Sequence, residues 1–147
     1  ICMEDNVLQG VNVVAYSKDG KDYAMTCAWT TSVDYDSIML LIGAQSDTGN
    51  HLKVGDKVGV SALNENQKDI ASKLGENHSL STNKLENIEC YKESGAILIK
   101  DAKTNLYCEV TNVTHPKCSK DDHLIECKIL RSKENTKVRF LSMPEMR

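Results

Sequence analysis

The chain has 147 residues, with 18 Lys and Arg against 21 Asp and Glu, a formal net charge of -3 and six cysteines. Its length fits one domain over 1–147, large enough to bury roughly 68–70% of its unfolded surface without disulfide staples. The acidic balance excludes a nucleic-acid surface, which needs clustered Lys and Arg; the densest basic stretch, Arg131 to Arg139, is interrupted by Glu134. No membrane segment is expected, because the longest uncharged apolar run, Ile38 to Ala44, is far too short to span a bilayer. The start, ICMEDN, has no apolar signal region, so reduced thiols and a cytoplasmic location are expected.

Val7 to Ser17 is apolar and β-branched and predicts a strand, closed by Lys18-Asp19-Gly20-Lys21 with Asp-Gly at its centre. The next strand puts Tyr23, Met25, Cys27 and Trp29 on one face and Ala24, Thr26, Ala28 and Thr30 on the other. Such a small, hydroxyl-bearing face leaves room for a flat body and predicts a ligand shelf, although the same alternation suits a strand facing another sheet. After a turn at Asp34 to Asp36, Ser37 to Ala44 reads as a buried strand that opens into Gln45, Ser46, Asp47, Thr48, Gly49 and Asn50. Free backbone N–H groups at a helix start, beside Ser and Thr hydroxyls, suit phosphate; ordinary turn chemistry has the same composition.

Lys57 to Leu63 alternates as a further strand. A helix follows, with Asn64 as cap, Gln67 as its capping-box partner, Ile70, Ala71 and Leu74 as its apolar stripe and Gly75 as its C′ stop. Glu76 to Glu86 is polar and reads as a surface excursion of a length that is often functional. Strands are predicted at Ile88–Tyr91, Ala96–Lys100, Asn105–Val113, His123–Leu130 and Lys137–Leu141. Many short strands, one clear helix and no βαβ rhythm give a mainly β, antiparallel barrel with one or two short helices.

Other chemistries have less support. Cys118, His123 and Cys127, with His115, lack the close Cys pair that usually builds a structural zinc site. Cys27 has no His partner in sequence and reads as a small buried hydrophobe. Neither G-x-S-x-G nor G-x-G-x-x-G occurs, so no nucleophile elbow or Rossmann site is expected.

The run Met25-Thr26-Cys27-Ala28-Trp29, the apolar strand after it and Ser46-x-Thr48 ahead of Leu52 resemble the flavin reductase-like family of FMN-binding split β-barrels. Family members read M-T-A-[AST]-W and S-x-x-T at these places. Val58 to Leu63 resembles the family's V-x-V-x-L strand, Gln67 to Ala71 its Q-x-x-[LI]-A helix, Asn83-Lys84-Leu85 its D-K-F loop and Asp122-His123 its D-H. The resemblance implies a Greek-key-like antiparallel split barrel, a homodimer and FMN as cofactor. On that carry-over Met25, Thr26, Cys27 and Ala28 border the isoalloxazine, and Gln45, Ser46 and Thr48 hold ribityl or phosphate oxygens. Ser81 and Lys84 face the far side of the pocket, and His123 is the candidate catalytic residue at the nicotinamide face, the other reading being a strand-end His in water.

The implied activity takes electrons from NADH or NADPH through the flavin to free flavin or a redox partner protein. A flavoredoxin-like carrier that uses no nicotinamide is the alternative, and a pyridoxamine-phosphate-type oxidase a third. In two places the chain departs from the family. Glu126-Cys127-Lys128 lacks the Gly of the family strand, and Gly49 stands where family loops often have Arg. A phosphate of about -1.5 to -2 charge is then left to N–H and hydroxyl donors, with Lys53 or a partner-chain cation supplying charge, so weaker and more salt-sensitive FMN binding is expected.

Overall fold

The computed structural model of the chain describes residues 7–76 and 85–146, so the expected contacts of Ser81 and Lys84, and most of the polar excursion, lie outside the described residues. The chain opens with the hairpin β1 (Asn12–Lys18) and β2 (Lys21–Cys27), whose tight turn holds Asp19 at φ 53° and Gly20 at φ 79°. Positive φ at both centres is what a two-residue turn between twisted strands requires, and Asp-Gly supplies it at low cost. Then come β3 (Thr30–Ser32), β4 (Ser37–Ile42), the single-turn α1 (Asp47–Asn50), β5 (Lys57–Ala62) and α2 (Lys68–Glu76). The second half holds β6 (Cys90–Glu93), β7 (Ala96–Ile99), the long β8 (Thr104–Thr114) and β9 (His123–Glu134), and a 3-10 turn at Met143–Met146.

All the strand pairings among the described residues are antiparallel, in the order β3-β4-β9-β8-β5-β1-β7-β6, with β2 on β1. The order does not close on itself, as a split sheet requires. Strand β1 is buried on both faces: Val14 and Tyr16 join the interior with Leu40, Val60 and Ile125, while Val13 and Ala15 pack outward against Ala71, Leu74, Ile97 and Leu141. Helix α2 covers that outer layer with the predicted stripe, Ala71 and Leu74 being 1% and 0% exposed.

Several expectations are corrected. Strand β2 ends at Cys27, and the Thr30 N–H bonds the Ala28 carbonyl at 2.9 Å, which breaks the alternation and turns Trp29 out to 58% exposure. The small face of β2 is no open shelf. Ala24 is buried against α2, and the Thr26 hydroxyl donates to the Ala71 carbonyl at 2.7 Å. Small residues there let a helix approach closely. Gly75 lies inside α2 rather than beyond it, with room for a Cβ 3.7 Å from Thr26. Half of the expected capping box forms: the Asn64 N–H bonds Gln67 Oε1 at 3.1 Å, but Asn64 Oδ1 accepts from the Asn66 N–H at 2.8 Å instead of from Gln67, whose N–H bonds the Asn64 carbonyl at 3.0 Å, and the helix begins only at Lys68. Lys137 to Leu141 makes only an isolated bridge, Phe140 to Asn64, instead of a strand. Among the described residues no helix is long and apolar enough to cross a membrane, and the five of the six cysteines that lie there form no disulfide with one another.

Candidate functional site

Two features meet beside Met25. The first is the edge of β2. In a two-residue hairpin the closing pair, Lys18 and Lys21, exchanges both ladder bonds, so Tyr23, Met25 and Cys27 bond to β1 and the backbone of Thr26 points the other way. No described strand pairs with that other edge. The second is the loop after β4. The Ser46 hydroxyl donates to Met25 Sδ at 3.1 Å, which brings the loop against the strand.

That loop is held at three points. Asp122 Oδ1 accepts from the Ala44 N–H at 2.9 Å, and Ser119 donates to its other oxygen. The Ser119 hydroxyl first, then the Ala44 amide, hold the Asp122 carboxyl below its usual value. At the far end His123 Nε2 meets Asn50 Oδ1 at 2.9 Å, which makes Nε2 the protonated nitrogen of the neutral ring. From below, the Tyr16 hydroxyl donates to the Thr48 carbonyl at 2.6 Å. Adjacent Asp122 and His123 thus bracket residues 44–50.

The sequence-predicted residues divide accordingly. Met25, Ser46 and His123 gather around the loop, and Gln45 is exposed at its tip. Ala28 is half-buried just past the end of β2. Thr48 is only 1% exposed and forms the floor instead of presenting its side chain at the surface. Cys27 is 4% exposed, with Sγ 3.7 Å from both the Trp29 and Leu41 carbonyls; burial pushes its thiol up, as expected for a core residue. Sequence reasoning missed Asn50, Tyr16 and the anchoring role of Asp122. The D-H pair was a signal for Asp122; nothing marked Tyr16.

Gly49 is explained by packing. A Cβ there would stand 2.6 Å from Ile42 Cγ2 and 3.4 Å from His123 Cδ2. An edge N–H at Thr26, the Ser46 hydroxyl and a tethered helix start fit a flavin with its phosphate at the loop. The loop itself offers donors without a cation, and Asp47 adds a carboxylate in the first turn of α1.

The rings of His115 and His123 lie 5.1 Å apart. Among the described residues no three His, Cys, Asp or Glu side chains are placed to hold a metal, and Cys127 is buried in the core at 1%. Burial, and next the neighbouring His115, hold the His123 imidazole below its ordinary 6.5, with Asp122 opposing. An unfolded His123 therefore takes up its proton at higher pH than the folded one. The contribution to stability is flat above about pH 6.5 and falls as pH drops through the window below it. Urea unfolding of the protein and of His123→Asn across this window is expected to show a shallower acid loss in the variant; equal slopes would contradict the assignment.

Tyr16→Phe strands the buried Thr48 carbonyl and is expected to cost about 1–3 kcal/mol, with an unchanged denaturant slope. Flavin retention should fall with it, since the loop loses its floor; a variant with unaltered unfolding midpoint would refute this.

Comparisons with known proteins agree with the architecture. No curated protein sequence matches the chain. The NADH:FAD oxidoreductase SgcE6 of Streptomyces globisporus superposes with TM-score 0.84 at 19% identity, over 96% of this chain and 84% of that one. The flavin reductase PheA2 gives 0.80 at 20% identity over 99% and 96%, and the flavoredoxin of Methanosarcina acetivorans 0.77 at 16% over 91% and 74%. At these identities the likeness shows the fold. Residues 4–141 match the model of the flavin reductase like domain, and the chain belongs to that family.

Proposed function

We propose that the chain is an FMN-binding flavin reductase working as a homodimer, taking electrons from NADH or NADPH and delivering them to free flavin or a redox partner protein. The observation that carries this reading is the loop at Ser46 seated against β2 through the Ser46 to Met25 bond, within a chain matched to the family over 4–141. A structure of SgcE6 described as a complex with NAD and FAD fragments supports the pairing of flavin and nicotinamide. The bound flavin would supply the redox chemistry, accepting electrons from the nicotinamide and releasing them to the acceptor.

The chain's own residues do the rest. The Thr26 N–H on the β2 edge offers a donor where negative charge gathers on reduction. Ser46 and the backbone N–H groups that follow it hold the phosphate, with Thr48 beneath; Met25, Cys27, Ala28 and Gln45, and Ser81 and Lys84 from the polar excursion, complete the pocket in this reading. His123, neutral at pH 7 and fixed by Asn50, stands where a nicotinamide would approach and orients it through its ring face. The homodimer reading draws on an apolar hollow of about 270 Å³ bordered by the exposed Trp29 with Met39, Leu41 and Leu124. A patch of this kind is costly to leave in water.

The test is anaerobic mixing of the FMN-loaded protein with NADH, then with NADPH, while the oxidised flavin absorbance is followed. Bleaching within seconds supports the reductase. Reduction by dithionite alone would replace it with the flavoredoxin-like carrier, the reading that the Methanosarcina neighbour favours.

A further inference from the structure

Far from the loop at Ser46, the β6–β7 hairpin faces the distal end of the β8–β9 ribbon across a cavity of about 350 Å³. Residue 131 lies eight positions along β9 from residue 123, roughly 26 Å at the rise of a strand, so this is a separate place on the molecule. Register builds one wall. Tyr107 stands opposite Arg131 and Asn105 opposite Lys133, and residues directly opposite share a face. Tyr91 and Leu98, paired across β6 and β7, form the other wall.

The charges in the cavity are uneven. The Arg131 guanidinium lies over the Tyr107 ring, 5.1 Å from its centroid, and pairs with Glu93 across the mouth from β9 to β6. Among the described residues Lys133 has no ion-pair partner. Two cations therefore face one carboxylate, and Arg131 already holds that carboxylate. The floor is saturated: Asn105 donates to Ser61 Oγ at 2.9 Å and to the Ile99 carbonyl at 3.0 Å, and accepts from Asn135 at 2.6 Å. Recognition is left to two phenol rings and a net single positive charge.

We propose that this cleft is a second ligand site, for a small, flat aromatic monocarboxylate. The ring lies beside Tyr91 and Tyr107, and the carboxylate meets Lys133 and the outer edge of Arg131, whose planar fork suits it. A volume near the lower limit for small-molecule pockets holds one or two rings and is too small for a dinucleotide. A second negative charge would meet Glu93, which selects the monoanion.

The probe is benzoate, titrated into the FMN-loaded full chain with the tyrosine ring and backbone amide signals followed by NMR. Saturable shifts centred on Tyr91 and Tyr107 are expected. Benzamide, without the charge, and cyclohexanecarboxylate, without the flat ring, should each bind several-fold more weakly. Lys133 is exposed, so Lys133→Gln should fold normally and raise the benzoate Kd about three- to fivefold, as for an exposed ion pair. Tyr107→Leu should raise it further. No saturable shift, shifts confined to the surroundings of Ser46 and His123, or a Kd unmoved by Lys133→Gln would overturn the proposal.

Discussion

Gly59→Ala is expected to lower stability by about 3 kcal/mol or more, the upper end of overpacking costs, or to prevent folding. A Cβ at this position would stand 2.0 Å from the Ile97 carbonyl oxygen and 2.7 Å from its carbon. Both atoms belong to backbone, so no side chain can swing aside. The close approach arises because β1 pairs with β5 through Asn12 to Ala15 and then with β7 at Tyr16, which carries β7 across β5 at Gly59. Relief by moving β5 is barred as well, since β5 is bonded to β1 on one edge and to β8 on the other. Urea unfolding followed by far-ultraviolet circular dichroism is the check. A midpoint equal to that of the unsubstituted protein would mean that the two strands do not cross so closely.

Gly49→Arg is expected to weaken flavin binding, although it restores the cation that family loops often carry. In isolation an added Arg at a phosphate site should strengthen binding, because a hydrogen bond to a charged group is worth roughly 1.5–3 kcal/mol. Here the new Cβ would enter the space of Ile42 Cγ2, and Ile42 is fully buried. Overpacking of this kind costs about 1–3 kcal/mol, and the damage falls on the helix start that would hold the phosphate. Gly49→Ala separates the two effects, since it brings the clash without the charge. Both variants should lose stability, and both should bind FMN more weakly. A tighter FMN complex in Gly49→Arg would show that the loop has room for a cation and that its absence is no consequence of packing.

Much of this architecture was legible from residue order. Asp19-Gly20 announced the first hairpin because few other pairs adopt positive φ twice, and Ile70, Ala71 and Leu74 marked the buried stripe of α2. Matching two short patterns to a family assigned Met25 and Ser46 to one pocket, without showing that their side chains touch. What a single strand could not reveal was which neighbour each face would meet. Ala24 and Thr26 look like the margin of an open groove, yet their small size serves the close seating of α2, and only tertiary structure tells the two uses apart. Trp29 was misplaced for a local reason, the turn at Ala28 that ends the alternation. Thr48 was read as a phosphate contact from the S-x-x-T resemblance, and the residue order did not show that the Tyr16 bond to its carbonyl draws it into the floor of the loop. Tyr16 lies far away in the chain, and no spacing rule links the two.

The central claim is that the flavin lies between the Thr26 end of β2 and the loop at Ser46. It is tested most directly by titrating FMN into the isotopically labelled apoprotein and following each assigned backbone amide. The account predicts that the amides of Met25 to Ala28 and of Gln45 to Thr48 shift together and saturate at one FMN per chain. Saturation with these two segments unmoved, or no shift at any flavin concentration, would contradict it.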